Sequence, residues 1–172
     1  ALNWAESENQ LFKNWLTPIA DDLGSKVPFI YARGNHDLRG PFARNWYDYI
    51  PTHNGKFYFA TDHGPAHFIV LDTGEDKPDS TSVYAGLNNL TDYRREEFAW
   101  FKSHLETTPS VKDAPFRIIL MHDPGWGWME EGESAKWTQL ANDSKINLIL
   151  AGHYHRFRRI NPGEGKGNQV PR

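Results

Sequence analysis

Three short segments hold most of the side chains able to bind a metal or move a proton: Gly34-Asn35-His36-Asp37, His122-Asp123-Pro124 and Gly152-His153-Tyr154-His155. Imidazole nitrogen and amide or carboxylate oxygen are donors that Zn, Mn or Fe ions accept. The chain has no cysteine, which excludes thiolate ligands, thiolate nucleophiles and disulfides. A lone histidine is more often a hydrogen-bonded structural residue. Three histidine-bearing loops in one chain point instead to a shared site. His153 and His155 stand one residue apart, so in extended backbone both leave the same side and can address one metal or two adjacent ones. A solvated turn before Arg156, Arg158 and Arg159 accounts for the same pair.

Each of the three segments follows an apolar run. PFIYA at 28–32 reads as a buried strand, and PFRIILM at 115–121 and INLILA at 146–151 are near-continuous, the pattern of strands covered on both faces. In layered α/β sheets, ligands collect beyond the carboxyl ends of such strands. KFYFAT at 56–61 and AHFIVLD at 66–72 flank Asp62-His63-Gly64, a hairpin signature. Leu11, Phe12, Trp15, Leu16, Ile19 and Leu23 recur at helical spacing after a Ser7/Gln10 capping box, with Pro18 as a kink or early end. Further helices are expected at about 92–107, with Phe98, Phe101 and Leu105 on one face, and around 133–144. Residues 73–90 form a long polar loop, and Asp72-Thr73-Gly74-Glu75-Asp76 reads as a solvated acidic turn outside the site.

These elements make a layered α/β (α+β) architecture in a single domain over 1–160, followed by a tail at 161–172 too rich in Pro, Gly, Lys and Asn to order itself. At 172 residues, with 38% hydrophobic residues and seven tryptophans, one packed core is expected. Trp126 and Trp128 either wall a pocket beside His122 or pack inside. A net charge of -3 argues against a nucleic-acid partner, which needs a dense basic face. No apolar run is long enough to span a membrane, and residues 1–25 lack the order of a signal peptide.

Taken in order, GNHD at 34–37, the strand-end His122 and GHYH at 152–155, with the FIVLD strand at 68–72 between, resemble the last three of five motifs of the calcineurin-like metallophosphoesterases. The neighbourhood is most similar to the purple-acid-phosphatase-like bacterial branch. The resemblance implies part of a four-layer α/β/β/α sandwich that lacks its N-terminal strands. It also implies hydrolysis of phosphoric mono- or diesters by two transition metals (Fe, Mn or Zn), with metal-bound hydroxide as nucleophile. By matched position, Asn35, His122 and His153 would hold one metal and His155 the other. His36 would face the substrate and protonate the leaving group, with Asp37 orienting its ring. Arg33 and Arg39 bracket GNHD and either contact a substrate phosphate or form surface salt bridges.

The family's Asp-x-His pair and bridging Gly-Asp motif occur nowhere in these residues. They are expected upstream of Ala1, so the fragment should bind metal weakly, be inactive alone and expose a sheet edge open to self-association. A small phosphate ester is the implied substrate and an extracytoplasmic location the implied setting. Two other readings remain: a binding or scaffolding module of the same fold without turnover, and a mononuclear metal protein using His122, His153 and Asn35.

Overall fold

The computed structural model describes residues 6–165 and 167–172. Ser7 opens the first helical segment, its hydroxyl accepting the Gln10 N–H, and the segment runs through α1 (Glu8–Leu11), a π turn (Phe12–Leu16) and α2 (Thr17–Asp22). Pro18 sits at the start of α2. Proline has no N–H, and its ring crowds the carbonyl four residues back, so a wider turn just before it relieves the clash without ending the helix. The expected interruption at Pro18 is therefore a π turn.

The hairpin forms as the alternation dictates: β1 (Phe59–His63) pairs antiparallel with β2 (Ala66–Val70). From β2 the chain crosses through α3 (Leu90–Thr107) and α4 (Pro109–Asp113) to β3 (Phe116–Met121), then through α5 (Glu133–Asp143) to β4 (Leu148–Ala151). β2, β3 and β4 run parallel in the order β1-β2-β3-β4. The carboxyl ends of three strands therefore lie side by side, and the loops after them share one rim of the sheet. Hydrogen bonds from Gly152 N–H to the His122 carbonyl (2.9 Å) and from Asp123 N–H to Thr73 Oγ1 (2.9 Å) tie these loops together.

The main core lies on one face of the sheet. Ile69, Ile119, Met121 and Ile149 meet Phe101 and Leu105 of α3, Val111 of α4 and Trp137 and Ala141 of α5. A second cluster gathers Leu11, Ala43, Trp46, Ile50 and Phe57, with Trp15 and Tyr31 against it.

The structure departs from expectation in three places. Segment 28–32 forms no strand, and Phe29 (49% exposed) and Ile30 (40%) face solvent, because no described strand lies beside it to satisfy its backbone. β3 and β4 are not covered on both faces: helices pack on one, while Phe116 and Leu150 on these strands are half exposed. The closing segment is ordered where described, since Val170 is buried in the main core, Ile149 N–H donates to the Pro171 carbonyl (2.8 Å), and Ile160 and Arg172 exchange backbone bonds. One valine inserted beside β4 supplies the apolar anchor that the segment's average composition conceals.

Candidate metal centre

Asn35 lies at the start of a 3-10 turn (Asn35–Leu38) entered through Gly34. Asp37 fixes this turn: its Oδ2 accepts the Gly34 N–H and the Tyr31 hydroxyl, both at 2.9 Å. Burial raises the Asp37 carboxyl above its ordinary range, while those hydrogen bonds oppose the shift. The structure thus gives Asp37 a structural task in holding the turn. Gly34 is needed for close approach, because a Cβ there would sit 3.3 Å from Asp37 Oδ2 and 3.4 Å from the His122 ring.

His122 follows β3 and turns toward the 3-10 turn, with Nε2 2.9 Å from Asn35 Oδ1. His153 follows β4, and its Nδ1 lies 3.3 Å from the same His122 nitrogen. One amide oxygen and two imidazole nitrogens, from segments far apart in sequence, therefore point at one another. Burial first, and the neighbouring His153 second, hold His122 below the ordinary imidazole value, which keeps its lone pair available near neutral pH. On chemistry this N,O donor set fits a transition-metal ion, yet among the described residues no group of three or more His, Asp or Glu side chains forms a complete cage.

His155 stands apart. His153 and His155 both adopt left-handed backbone, with φ of 71° and 50°, so the extended geometry expected for GHYH does not hold. His153 turns inward while His155 is exposed on the loop. Left-handed non-glycine residues are strained and cluster at functional sites. His36 is partly exposed beside Asn35, and Arg39 Nη1 lies 3.4 Å from its Nε2.

The two arginines bracketing GNHD have acidic partners. Arg33 is buried, ion-paired with Asp72 and stacked 4.3 Å from the Phe57 ring centroid, a structural cation turned away from solvent. Arg39 grips Glu75 through Nε and through Nη2 (2.8 Å). The segment expected as a solvated turn is instead packed beneath the site over residues 72–75, with Asp72 and Glu75 fully buried, while Asp76 is exposed. Its backbone carbonyls at Thr73 and Glu75 accept from Arg94, and Gly127 passes so close that a Cβ there would meet the Thr73 oxygen at 2.0 Å. Asp76 Oδ2 comes within 3.9 Å of His153 Nε2. Sequence reasoning missed this acidic layer; its signal was position, since Asp72 follows an apolar strand at the same rim as His122 and His153. Trp126 resolves toward packing, buried against Trp137 with its indole N–H on Thr138.

A sequence model of the family described as calcineurin-like phosphoesterase matches residues 5–157. The chain belongs to the calcineurin-like phosphoesterase family. It is 24% identical over 182 residues to "Probable inactive purple acid phosphatase 1" of Arabidopsis thaliana, covering 90% of this chain and 28% of that protein. It is 24% identical to "Purple acid phosphatase 23" (82% of this chain, 31% of that protein) and 20% identical to "Purple acid phosphatase 21" (94% and 37%), both of the same plant. The chain spans about a third of the length of these relatives. The mixed α/β sheet with its rim of histidines agrees with a fragment of the calcineurin-like phosphoesterase fold.

Proposed function

We propose that this chain carries one wall of the metal centre of a phosphoric-ester hydrolase. The approach of Asn35 Oδ1, His122 Nε2 and His153 Nδ1 to within 2.9 and 3.3 Å of their neighbours supports the reading. These three residues would hold one ion through neutral donors, leaving its positive charge largely intact for a phosphoryl group. His155 would serve a second ion. A pair of such ions, when bound, supplies an activated water as nucleophile near neutral pH and draws the phosphoryl oxygens into line. His36 would give a proton to the departing alkoxide, with the Arg39 guanidinium beside it stabilising charge on the ester. The remaining ligands, an Asp-x-His pair and a bridging Gly-Asp carboxylate, are proposed to lie in sequence outside these 172 residues.

The substrate class is a small phosphate mono- or diester, and an extracytoplasmic setting is part of the proposal. No helix among the described residues is long and apolar enough to cross a membrane. The test is a chromogenic phosphate-ester assay with metal analysis on a gene product that includes the sequence upstream of Ala1. We expect two metals per chain and turnover, and a His36→Ala variant that keeps its metals while turnover falls by about 10²–10⁴-fold, the usual worth of general acid–base catalysis. Unchanged turnover in that variant overturns the role of His36. Metal binding without turnover favours a non-catalytic module, a reading encouraged by the relative named as probably inactive. A single metal favours the mononuclear reading, which the exposure of His155 keeps in view.

A further inference from the structure

The fully buried Glu75 carboxylate is in direct contact with Asn35 in the GNHD turn and with Arg39 just after it. Its Oε2 lies 3.4 Å from Asn35 Nδ2 and 2.8 Å from Arg39 Nη2, while Oε1 takes Arg39 Nε. Its backbone is equally fixed, because the Glu75 carbonyl accepts from Trp128 N–H (2.7 Å) and from Arg94 Nη2 (2.8 Å). An ionised carboxylate can only accept hydrogen bonds. The amide nitrogen of Asn35 must therefore face Glu75, and the amide oxygen must face the other way, toward His122 Nε2. A flipped amide would set its oxygen against the carboxylate and turn two N–H donors on the histidines, where a cation finds no ligand.

We propose that Glu75 is a positioning residue: from beneath the site it fixes which atom of Asn35 is offered to a metal and holds Arg39 beside His36. This rests on the metal-centre reading above and deepens it. The Asn35–Glu75 contact is long, so what Glu75 supplies is orientation more than bond strength. Carboxylates that orient a ligand from outside the coordination sphere commonly change metal affinity by about 10–100-fold when replaced. Arg39 is held by the same two oxygens, so loosening Glu75 frees the guanidinium too. Glu75 takes Nε and Nη2 of Arg39, so Nη1, toward His36, is the arm left to meet charge on the ester.

The test uses the ¹⁵N-labelled 172-residue chain, metal-free and then titrated with Co²⁺. In the parent protein we expect one Asn35 side-chain amide proton to be shifted downfield and slow to exchange with water. Glu75→Gln offers an amide that can donate as well as accept. It is expected to abolish that signature and weaken Co²⁺ binding by about 10–100-fold, with backbone amide dispersion preserved. Glu75→Asp, which keeps the charge on a shorter stem, should fall between the two and decides the matter if the glutamine variant does not fold. Unchanged Asn35 resonances in these variants overturn the proposal. If the parent chain binds no Co²⁺, the Asn35 resonances still judge Glu75, while the metal-centre reading stands or falls separately on the metal content of the upstream-extended gene product.

Discussion

Burial favours the neutral form of a carboxyl group, and Glu97 shows what that does to stability. It sits fully buried on α3, accepts the Asp72 N–H at 2.6 Å, and is driven well above the usual carboxylate range by burial, with Asp72 adding to the shift while Arg94 and Arg33 oppose it. A folded-state value raised above the unfolded one contributes stability below the ordinary range of about 4.3 and loses it as pH rises through the folded value. Glu97→Gln keeps the acceptor and cannot ionise. It should melt at or above the parent at pH 7–8, by calorimetry, with the advantage shrinking toward pH 5. Glu97→Ala strands the Asp72 N–H and should cost roughly 1–3 kcal/mol for that donor alone, about 2–4 °C of Tm per kcal/mol at this chain length. A glutamine variant that melts well below the parent at every pH would show that Glu97 works as an anion. Residues such as Asn35, His122 and His153 were legible in sequence because each stands where a turn or an apolar run ends. Glu97, Glu75 and Asp72 were not, since composition alone cannot tell an acid that caps a solvated turn from one folded under a site.

Between elements, polar contacts seal the joint of the hairpin with α3. His67 of β2 is buried, with Nδ1 2.6 Å from Asp62 of β1 and Nε2 2.9 Å from His104 Nε2 of α3; His104 Nδ1 is 3.1 Å from Thr108 Oγ1, and its ring stacks on Trp100. Two imidazole nitrogens this close share one proton, so a second proton would set two donors face to face. Burial first, and His67 second, hold His104 below its ordinary value; the His67 hydrogen bond holds Asp62 below the usual carboxylate range. Both shifts are depressions, so the stability they contribute is present above the unfolded values and lost on acidification, beginning below about pH 6.5 for the histidine and continuing below about pH 4 for the carboxylate. His104→Gln keeps a donor for His67 but does not titrate there. Its melting temperature should fall less than the parent's between pH 7 and 5.5, and parallel curves would remove His104 as the cause. The elements themselves were largely readable: the hairpin, α3, α5, β3 and β4 follow from periodicity within a few residues. Segment 28–32 was not, because an apolar run becomes a strand only when a neighbouring strand takes up its backbone groups.

At the scale of the whole molecule, apolar surface is distributed unevenly. The helices α3 and α5 cover one face of the sheet, yet Leu23, Val27, Phe29 and Ile30 are between 39% and 51% exposed, and Leu23, Phe29 and Ile30 border a cavity of about 420 Å³ that reaches Gly34 and His122. Contiguous exposed apolar surface is rare on a stable monomer, and backbone without a strand partner can pair with another chain. Self-association of the isolated chain is therefore expected to rise with protein concentration, read as an increase of weight-average mass in light scattering. Val27→Lys and Phe29→Lys place charge on this surface without entering either core cluster, so they should keep the mass near 19.8 kDa while shifting the melting temperature little. The same chain extended upstream should also stay monomeric if the added residues cover this face. A mass that stays monomeric for the unmodified chain at high concentration would mean that the exposed residues are too dispersed to drive association.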